Sequence, residues 1–370
     1  MLNLPLKTHM RFISPIFDLY SDYLIVNPQQ ATATGLAALV EGNVSHDAIT
    51  RSLSEQTYGS AQLWQVVKPL VRQIQQPDGV LILDDTVEGK PFMQANDLIR
   101  YHYDHCQGKA IKGINQLTAL YHSGQNWLPV AFQLIHKDQQ NVQPKTGKVK
   151  WTSSISKQAY FRQLVQQCVS NQLVFKYVLA DSWFSSAENF RFTAQLNKHF
   201  IMPLKANRKV AFSEADHHQG RYQSIGSLCL EEHQSLVVWV ESVDFPLVLT
   251  RQVFKDGDRQ QGQLYLVTND LTADSVCIQT QYARRWKVEE FHKSVKSNAG
   301  YGHSPAHTVR TQSNHLFLSM LAFVKLEALR LCSSKNHFAL KKLLAHNALK
   351  MALGDLHRLK SRSTLLAKAA

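Results

Sequence analysis

Two short apolar runs in this chain end abruptly in aspartate. "VLILDDT" (80–86) follows the turn-rich break "QQPDG" (75–79), and "LVFKYVLAD" (173–181) closes on Asp181. Apolar runs of this length bounded by turn signals are the mark of buried strands. A carboxylate at the end of such a strand is poorly solvated, and its charge is costly unless a cation or hydrogen bonds compensate. Between the two runs, "INQLTALYHSG" and "WLPVAFQLIHK" read as a hairpin about Ser123-Gly124, and "SKQAYFRQLVQQCVS" reads as an amphipathic helix at 156–170. Three strands, a helix and a strand predict an α/β fold, a mixed sheet with helices against it.

The flanks differ in character. Residues 31–76 have a helical, short-jointed pattern, with Gly42 and Gly59 as joints and Ser45 as an N-cap. Helices this short suit a helix-turn-helix or a helical cap equally well. From 206 to 279 the chain becomes β-rich, with "SLVVWVESV", "PLVLTRQVF" and "GQLYLVTND" separated by polar turns. It then turns helical through 282–332 and ends in a basic amphipathic stretch, "ALKKLLAHNALKMALGDLHRLKSR".

Composition narrows the class. The 370 residues are 44% hydrophobic, enough for substantial cores. The most apolar stretch, "LFLSMLAFV" (316–324), stops at Lys325 and reads as a buried helix, not a membrane span. The N-terminal "MLNLPLKTHMRFISPIF" lacks the continuous apolar core of a secretory signal, so a cytoplasmic location is expected. Cys106, Cys168, Cys229, Cys277 and Cys332 lie far apart and are expected to be reduced. His217 and His218 have no second ligand cluster nearby in sequence, which argues against zinc. The formal charge is +13, and residues 282–370 carry 16 Lys/Arg against 4 Asp/Glu. A localised field of that sign fits a polyanion, and residues 1–78, with 5 Lys/Arg against 6 Asp/Glu, do not share it.

The richest stretch is "YARRWKVEEFHKSVK" (282–296). On one helix Tyr282, Arg285, Glu289 and Lys296 fall within a stripe about 60° wide and about 21 Å long, with Glu290 off it. Val288, Phe291 and Val295 form the opposite, apolar face, and Gly300 supplies a stop. Taken alone the stripe is a ladder of ion pairs, Arg285 with Glu289 and Glu289 with Lys293. Set beside two strands that end in Asp84-Asp85 and Asp181, Glu289 completes an all-oxygen pocket of the kind that suits Mg²⁺ or Mn²⁺. Two such ions about 4 Å apart serve an in-line phosphoryl displacement. Arg285 and Lys296 then become phosphate contacts, and Tyr282 stacks on or hydrogen-bonds to nucleic acid.

The spacing Tyr-x2-Arg-x3-Glu-x6-Lys at Tyr282, Arg285, Glu289 and Lys296 resembles the C-terminal signature of the DDE transposases of bacterial insertion sequences. "RWKVEEFHK" and "AG" around it are similar to the branch that cuts and pastes through DNA hairpin ends, and "LILDDT" and "YVLADSWFSS" resemble the two aspartate motifs. The resemblance implies a ribonuclease H-like core over 77–205 and 280–335 and a β-rich insertion at 206–279. A helical N-terminal domain (1–76) and a basic helical C-terminal region (336–370) flank them. It implies Asp85, Asp181 and Glu289 as catalytic metal ligands. The residues themselves leave the first aspartate open, because Asp84 and Asp85 point to opposite sheet faces; in the family, Thr or Ser usually follows the catalytic Asp, which favours Asp85 before Thr86. Ser182-Trp183 departs from the family, where a basic residue often follows the second Asp.

Tyr282, Arg285, Trp286, Lys293, Lys296, Lys205, Arg208, Lys109 and Lys112 are the candidate DNA contacts. Trp239 is a candidate for holding an extruded base, although an alternating strand more often buries its Trp. The implied partners are the element's terminal inverted repeats, target DNA and a second copy of the chain, with no membrane. The alternatives are a nuclease of the same fold without strand transfer and an inactive DNA-binding relic.

Overall fold

The computed structural model describes residues 13–104, 107–142, 144, 147–256 and 259–369, with side chains except at 255–261 and 361–369. Cys106 and most of the N-terminal segment considered as a signal lie outside the described residues. The chain divides into two compact units, residues 1–57 with 293–370, and residues 58–292.

Among the described residues the first unit opens with three helices, α1 (Pro15–Val26), α2 (Ala33–Leu39) and α3 (His46–Glu55). Each start is satisfied by a hydroxyl: Ser14, Thr32 and Ser45 accept from the N–H groups of Phe17, Gly35 and Ala48 at 3.2, 2.9 and 3.2 Å. The Ser45 cap is the one expected from sequence.

The second unit begins with α4 (Ser60–Ile74) and is organised about β1 (Val80–Gly89). Strand β1 pairs antiparallel with β3 (Lys109–Ser123), which also carries β2 (Arg100–Asp104) and β4 (Asn126–Leu134). The β3–β4 turn is the expected hairpin, with Ser123 opposite Asn126 and Gly124 at φ +56°, where glycine carries no Cβ penalty. A small ribbon, β5 (Gln139–Val142) and β6 (Val149–Thr152), leads to α5 (Lys157–Ser170), where a helix was expected. Strand β7 (Tyr177–Leu179) then pairs parallel with β1, and after α6 (Ala187–Gln195), β8 (His199–Leu204) pairs parallel with β7. Val80 to Leu83 are fully buried because both edges and both faces of β1 are covered. The strand expected over 173–181 is shorter than its apolar run, since only Tyr177–Leu179 engage both neighbours.

Short β9 (Lys209–Ala211), α7 (Glu214–His218) and β10 (Gln223–Ser224) follow, then β11 (Ser235–Val240), β12 (Leu247–Asp256) and β13 (Arg259–Thr268). Strand β13 pairs antiparallel with β8, Tyr265 opposite Leu204, so the β-rich stretch extends the same sheet. One eleven-stranded sheet runs β10-β9-β11-β12-β13-β8-β7-β1-β3-β2, with β4 on β3. The mixed α/β architecture with flanking helices is consistent with a ribonuclease H-like fold.

Two helices follow the sheet, α8 (Ser275–Ala283) and α9 (Trp286–Asn298), and the boundary between the units falls within α9. The single helix expected over 282–296 is therefore interrupted. Arg284, Arg285, Lys287 and Val288 donate to the carbonyls three residues back, a tightened turn that puts Tyr282 at the end of one helix and Glu289 on the next. Arg284 anchors the joint by donating to His122 Nδ1 at 2.9 Å and Asp78 O at 2.8 Å.

In the first unit, α10 (Val309–Ser333) contains the "LFLSMLAFV" stretch as a buried helix, and α11 (His337–Ala369) is the basic C-terminal helix. Lys325 ends the apolar stretch by pairing with Asp18 and Asp22 at 2.7 and 2.6 Å. Gly300, at φ +63°, follows the end of α9 as expected. No helix among the described residues is long and apolar enough to cross a membrane.

Candidate active site

The carboxylates meet in the second unit midway along β1, just past the last residues that pair with β7. Continuing the parallel register of β1 and β7, in which Ile82 faces Leu179, brings Asp84 alongside Asp181. Asp84 and Asp85 point to opposite faces, since residues paired across the ladder share a face and successive ones alternate. Asp84 lies opposite Thr118, and Arg285 Nη1 stands 3.6 Å from Asp84 Oδ2 and 3.6 Å from Glu289 Oε1. Asp84, Glu289 and His292 each offer a ligand atom, all within 4.8 Å of one another. Asp85 turns to the other face, where its Oδ2 accepts from Asn115 Nδ2 and pairs with Lys157 Nζ, each at 2.7 Å.

Electrostatics follow from that crowding. Burial pushes the Asp84 carboxyl well above the ordinary carboxylate range; Arg285 pulls it back, while Asp181, Asp85 and Glu289 push it further. Asp181 is raised as well, by burial first, against the hydrogen bond its Oδ1 accepts from Trp183 N–H at 3.0 Å. Tyr282 is pushed up to about 12 by burial. On the Asp85 side, burial and then the neighbouring Lys137 and Lys157 lower His102 to about 3, so it stays neutral at physiological pH.

These side chains suit a hard divalent cation. Oxygen donors dominate the set, two of them, Asp84 and Asp181, raised first by burial, and Arg285 sits on Asp84 and Glu289, where further positive charge is favourable. His292 adds one nitrogen, which Mn²⁺ accepts more readily than Mg²⁺. Among the described residues no comparable group forms at His217 and His218, which engage Tyr222 and Glu214.

A cavity of about 730 Å³ opens beside Asp181, floored by Tyr282, Arg285 and Lys205 and walled by Phe254, Tyr265 and the 63% exposed Trp286. Arg208 donates to Ser185 O at 3.3 Å just past Asp181. Lys109 and Lys112 belong to the far half of β3, Lys112 lying six residues from Thr118, about 20 Å along the strand. Lys293 and Lys296 fall in the first unit; Lys293 lies over the Phe338 ring at 5.5 Å, and Lys296 is in the last turn of α9. Trp239 is half-buried on β11 opposite Ala211, away from the residues lining the cavity.

Three participants escaped the sequence reading. His292 was legible in principle, as Glu289-x2-His292 places both on one helical face. Asn115 and Lys157 reach Asp85 only through the sheet and α5, and no local pattern marks them.

A family model described as DDE superfamily endonuclease matches residues 7–232, well over half of the chain and including Asp84, Asp85 and Asp181 but not Glu289. No curated protein matches. With a mixed sheet that gathers acidic side chains about β1, and with that match, the chain belongs to the DDE superfamily endonucleases.

Proposed function

We propose that this endonuclease is the transposase of an insertion sequence, cutting and pasting DNA through hairpin ends. The observation that carries the reading is the convergence of acids from three distant stretches, Asp84, Asp181 and Glu289, around Arg285. Asp84, Asp181 and Glu289, with His292 beside them, are the ligands we assign to two Mg²⁺ or Mn²⁺ ions; Asp85, favoured for that place by the resemblance, turns instead to Asn115 and Lys157 on the other face of β1. When bound, such ions lower the pKa of an attacking water and offset charge on the leaving oxygen.

The chain's residues do the rest. Arg285 and Lys205 grip phosphates in the cavity beside Asp181, and Trp286 offers a stacking face there. Water attacks the phosphorus at each transposon end, releasing a 3′-hydroxyl and a 5′-phosphate. That hydroxyl attacks the opposite strand, giving a hairpin that is reopened before strand transfer into target DNA. Of the aromatics near the β-rich stretch, Phe254, 44% exposed on the cavity wall, is better placed than Trp239 to hold a base freed by hairpin formation. The helices to residue 76 serve end recognition, residues 206–279 act as the insertion within the catalytic core, and the basic residues 336–370 contact phosphates. Two copies pair the ends, in the nucleoid of a bacterial cytoplasm.

The test is cleavage and joining of DNA that carries the element's ends in Mg²⁺ or Mn²⁺. Asp181→Asn and Glu289→Gln are expected to abolish cleavage and spare end binding, and full cleavage by either variant overturns the assignment. Joining of precut ends supports a transposase; cleavage without joining leaves only a nuclease.

A further inference from the structure

Beyond the carboxylates, a second cavity of about 420 Å³ opens next to Asp181, lined by Ser182, Trp183, Lys205, Arg208, Lys209 and Glu241 among others. Its volume lies in the roughly 300–1,000 Å³ range of small-molecule sites. Trp183 is 53% exposed although it is large and apolar. Its backbone is held at both ends: Trp183 N–H donates to Asp181 Oδ1 at 3.0 Å, and Trp183 O accepts from Gln158 Nε2 at 2.7 Å. An exposed ring on a braced backbone loses little entropy when something stacks on it. In the same lining, Lys205, Arg208 and Lys209 outnumber the single carboxylate of Glu241, and Arg208 is oriented by its bond to Ser185 O at 3.3 Å.

An aromatic face beside clustered cations recognises a flat ring joined to an anion, the chemistry of a nucleotide. Paired bases inside a duplex keep their faces stacked on each other, so only an unpaired one can offer its face to a side chain. We propose that this cavity takes one unpaired nucleotide of the DNA, its base on Trp183 and its phosphate on Lys205, Arg208 and Lys209, and so directs the enzyme to frayed or overhanging ends. The inference rests on DNA being the substrate, and it is separate from the metal chemistry. It gives a role to Trp183 within the Ser182-Trp183 departure from the family pattern after Asp181.

The test is fluorescence anisotropy of labelled short duplexes, blunt or carrying a short single-stranded overhang, with the full chain in EDTA so that nothing is cut. The wild type is expected to prefer the overhang. Trp183→Ala lowers that preference about tenfold, the size of one base stack, whereas Trp183→Phe keeps it. An overhang of abasic nucleotides behaves towards the wild type as the normal overhang does towards Trp183→Ala. Lys205→Ala with Arg208→Ala weakens overhang binding and flattens its salt dependence. An overhang-to-blunt ratio unchanged in Trp183→Ala, or equal for abasic and normal overhangs, overturns the proposal. Asp181→Asn separates the two readings: loss of cleavage with the preference kept supports both, and a Trp183-dependent preference in a chain that never cleaves keeps the pocket while retiring the transposase.

Discussion

Lys157 Nζ and Asp85 Oδ2 are 2.7 Å apart on the face of β1 opposite the one carrying Asp84. Two adjacent carboxylates thus have different cationic partners, Lys157 for Asp85 and Arg285 for Asp84. Asp84→Asn should lower Mn²⁺ affinity by about 10- to 100-fold or more, the range seen when even a group supporting a metal site is removed, and Asp85→Asn should lower it less. Calorimetric titration checks this, and wild-type affinity in Asp84→Asn, or an equal loss in Asp85→Asn, overturns the assignment of Asp84.

Arg285 compensates Asp84 and Glu289 in the absence of metal. Arg285→Ala is expected to destabilise the metal-free protein by about 1–3 kcal/mol, the cost of leaving a partly buried carboxylate unpaired. Urea unfolding with and without Mn²⁺ reads it, and added metal should recover part of the loss. A variant as stable as wild type in EDTA contradicts the role.

The pH dependence has a definite sign. Asp84 and Asp181 hold their protons more tightly folded than unfolded, so their contribution to stability is present below the ordinary carboxylate pKa, about 4, and is lost as pH rises through the raised folded values. Metal competes with those protons, so its affinity should climb over the same interval. Melting temperatures from mildly acidic to neutral pH, with and without Mn²⁺, should diverge as pH increases. Parallel curves would mean that neither acid is coupled to the ion.

In the first unit, Glu327 is buried with Arg330 Nη2 at 2.7 Å and His337 Nε2 at 3.0 Å, and His337 Nδ1 meets Ser294 Oγ at 2.8 Å. Although burial raises it, the bonds from His337 and Arg330 prevail and hold the Glu327 carboxyl below its usual value. Its contribution is therefore present above the ordinary Glu range and fades as pH falls through the lowered folded value. Arg330→Ala or His337→Phe should cost about 3–5 kcal/mol in chemical denaturation, because either leaves a buried charge short of a partner. A loss below about 1 kcal/mol would place that partner outside the network.

Much of this was readable locally. The run "VLIL" identified a buried strand because four consecutive apolar residues have no solvent face to spare, and Ser45, Gly124 and Gly300 marked a cap, a turn and a stop through their own backbone chemistry. Glu289 stood out by its spacing from Tyr282 and Arg285 even though the helix joining them is interrupted, since a tightened turn keeps neighbouring residues close. Lys109 and Lys112, by contrast, lie near "LILDD" in sequence but well away from it along β3, because a strand carries its residues off at about 3.3 Å each.

By itself the sequence determined the buried runs and the alternation that turns Asp84 and Asp85 apart, since each depends on residues a few positions away; the strand end expected at Asp84-Asp85 is absent, because β1 continues along β3 to Gly89. Only the tertiary structure decided which face meets Arg285 and Glu289, and which meets Asn115 and Lys157. Those partners come from segments up to some two hundred residues distant in the chain. Strand pairing and helix packing bring them within ion-pairing or hydrogen-bonding range, and no local periodicity encodes that.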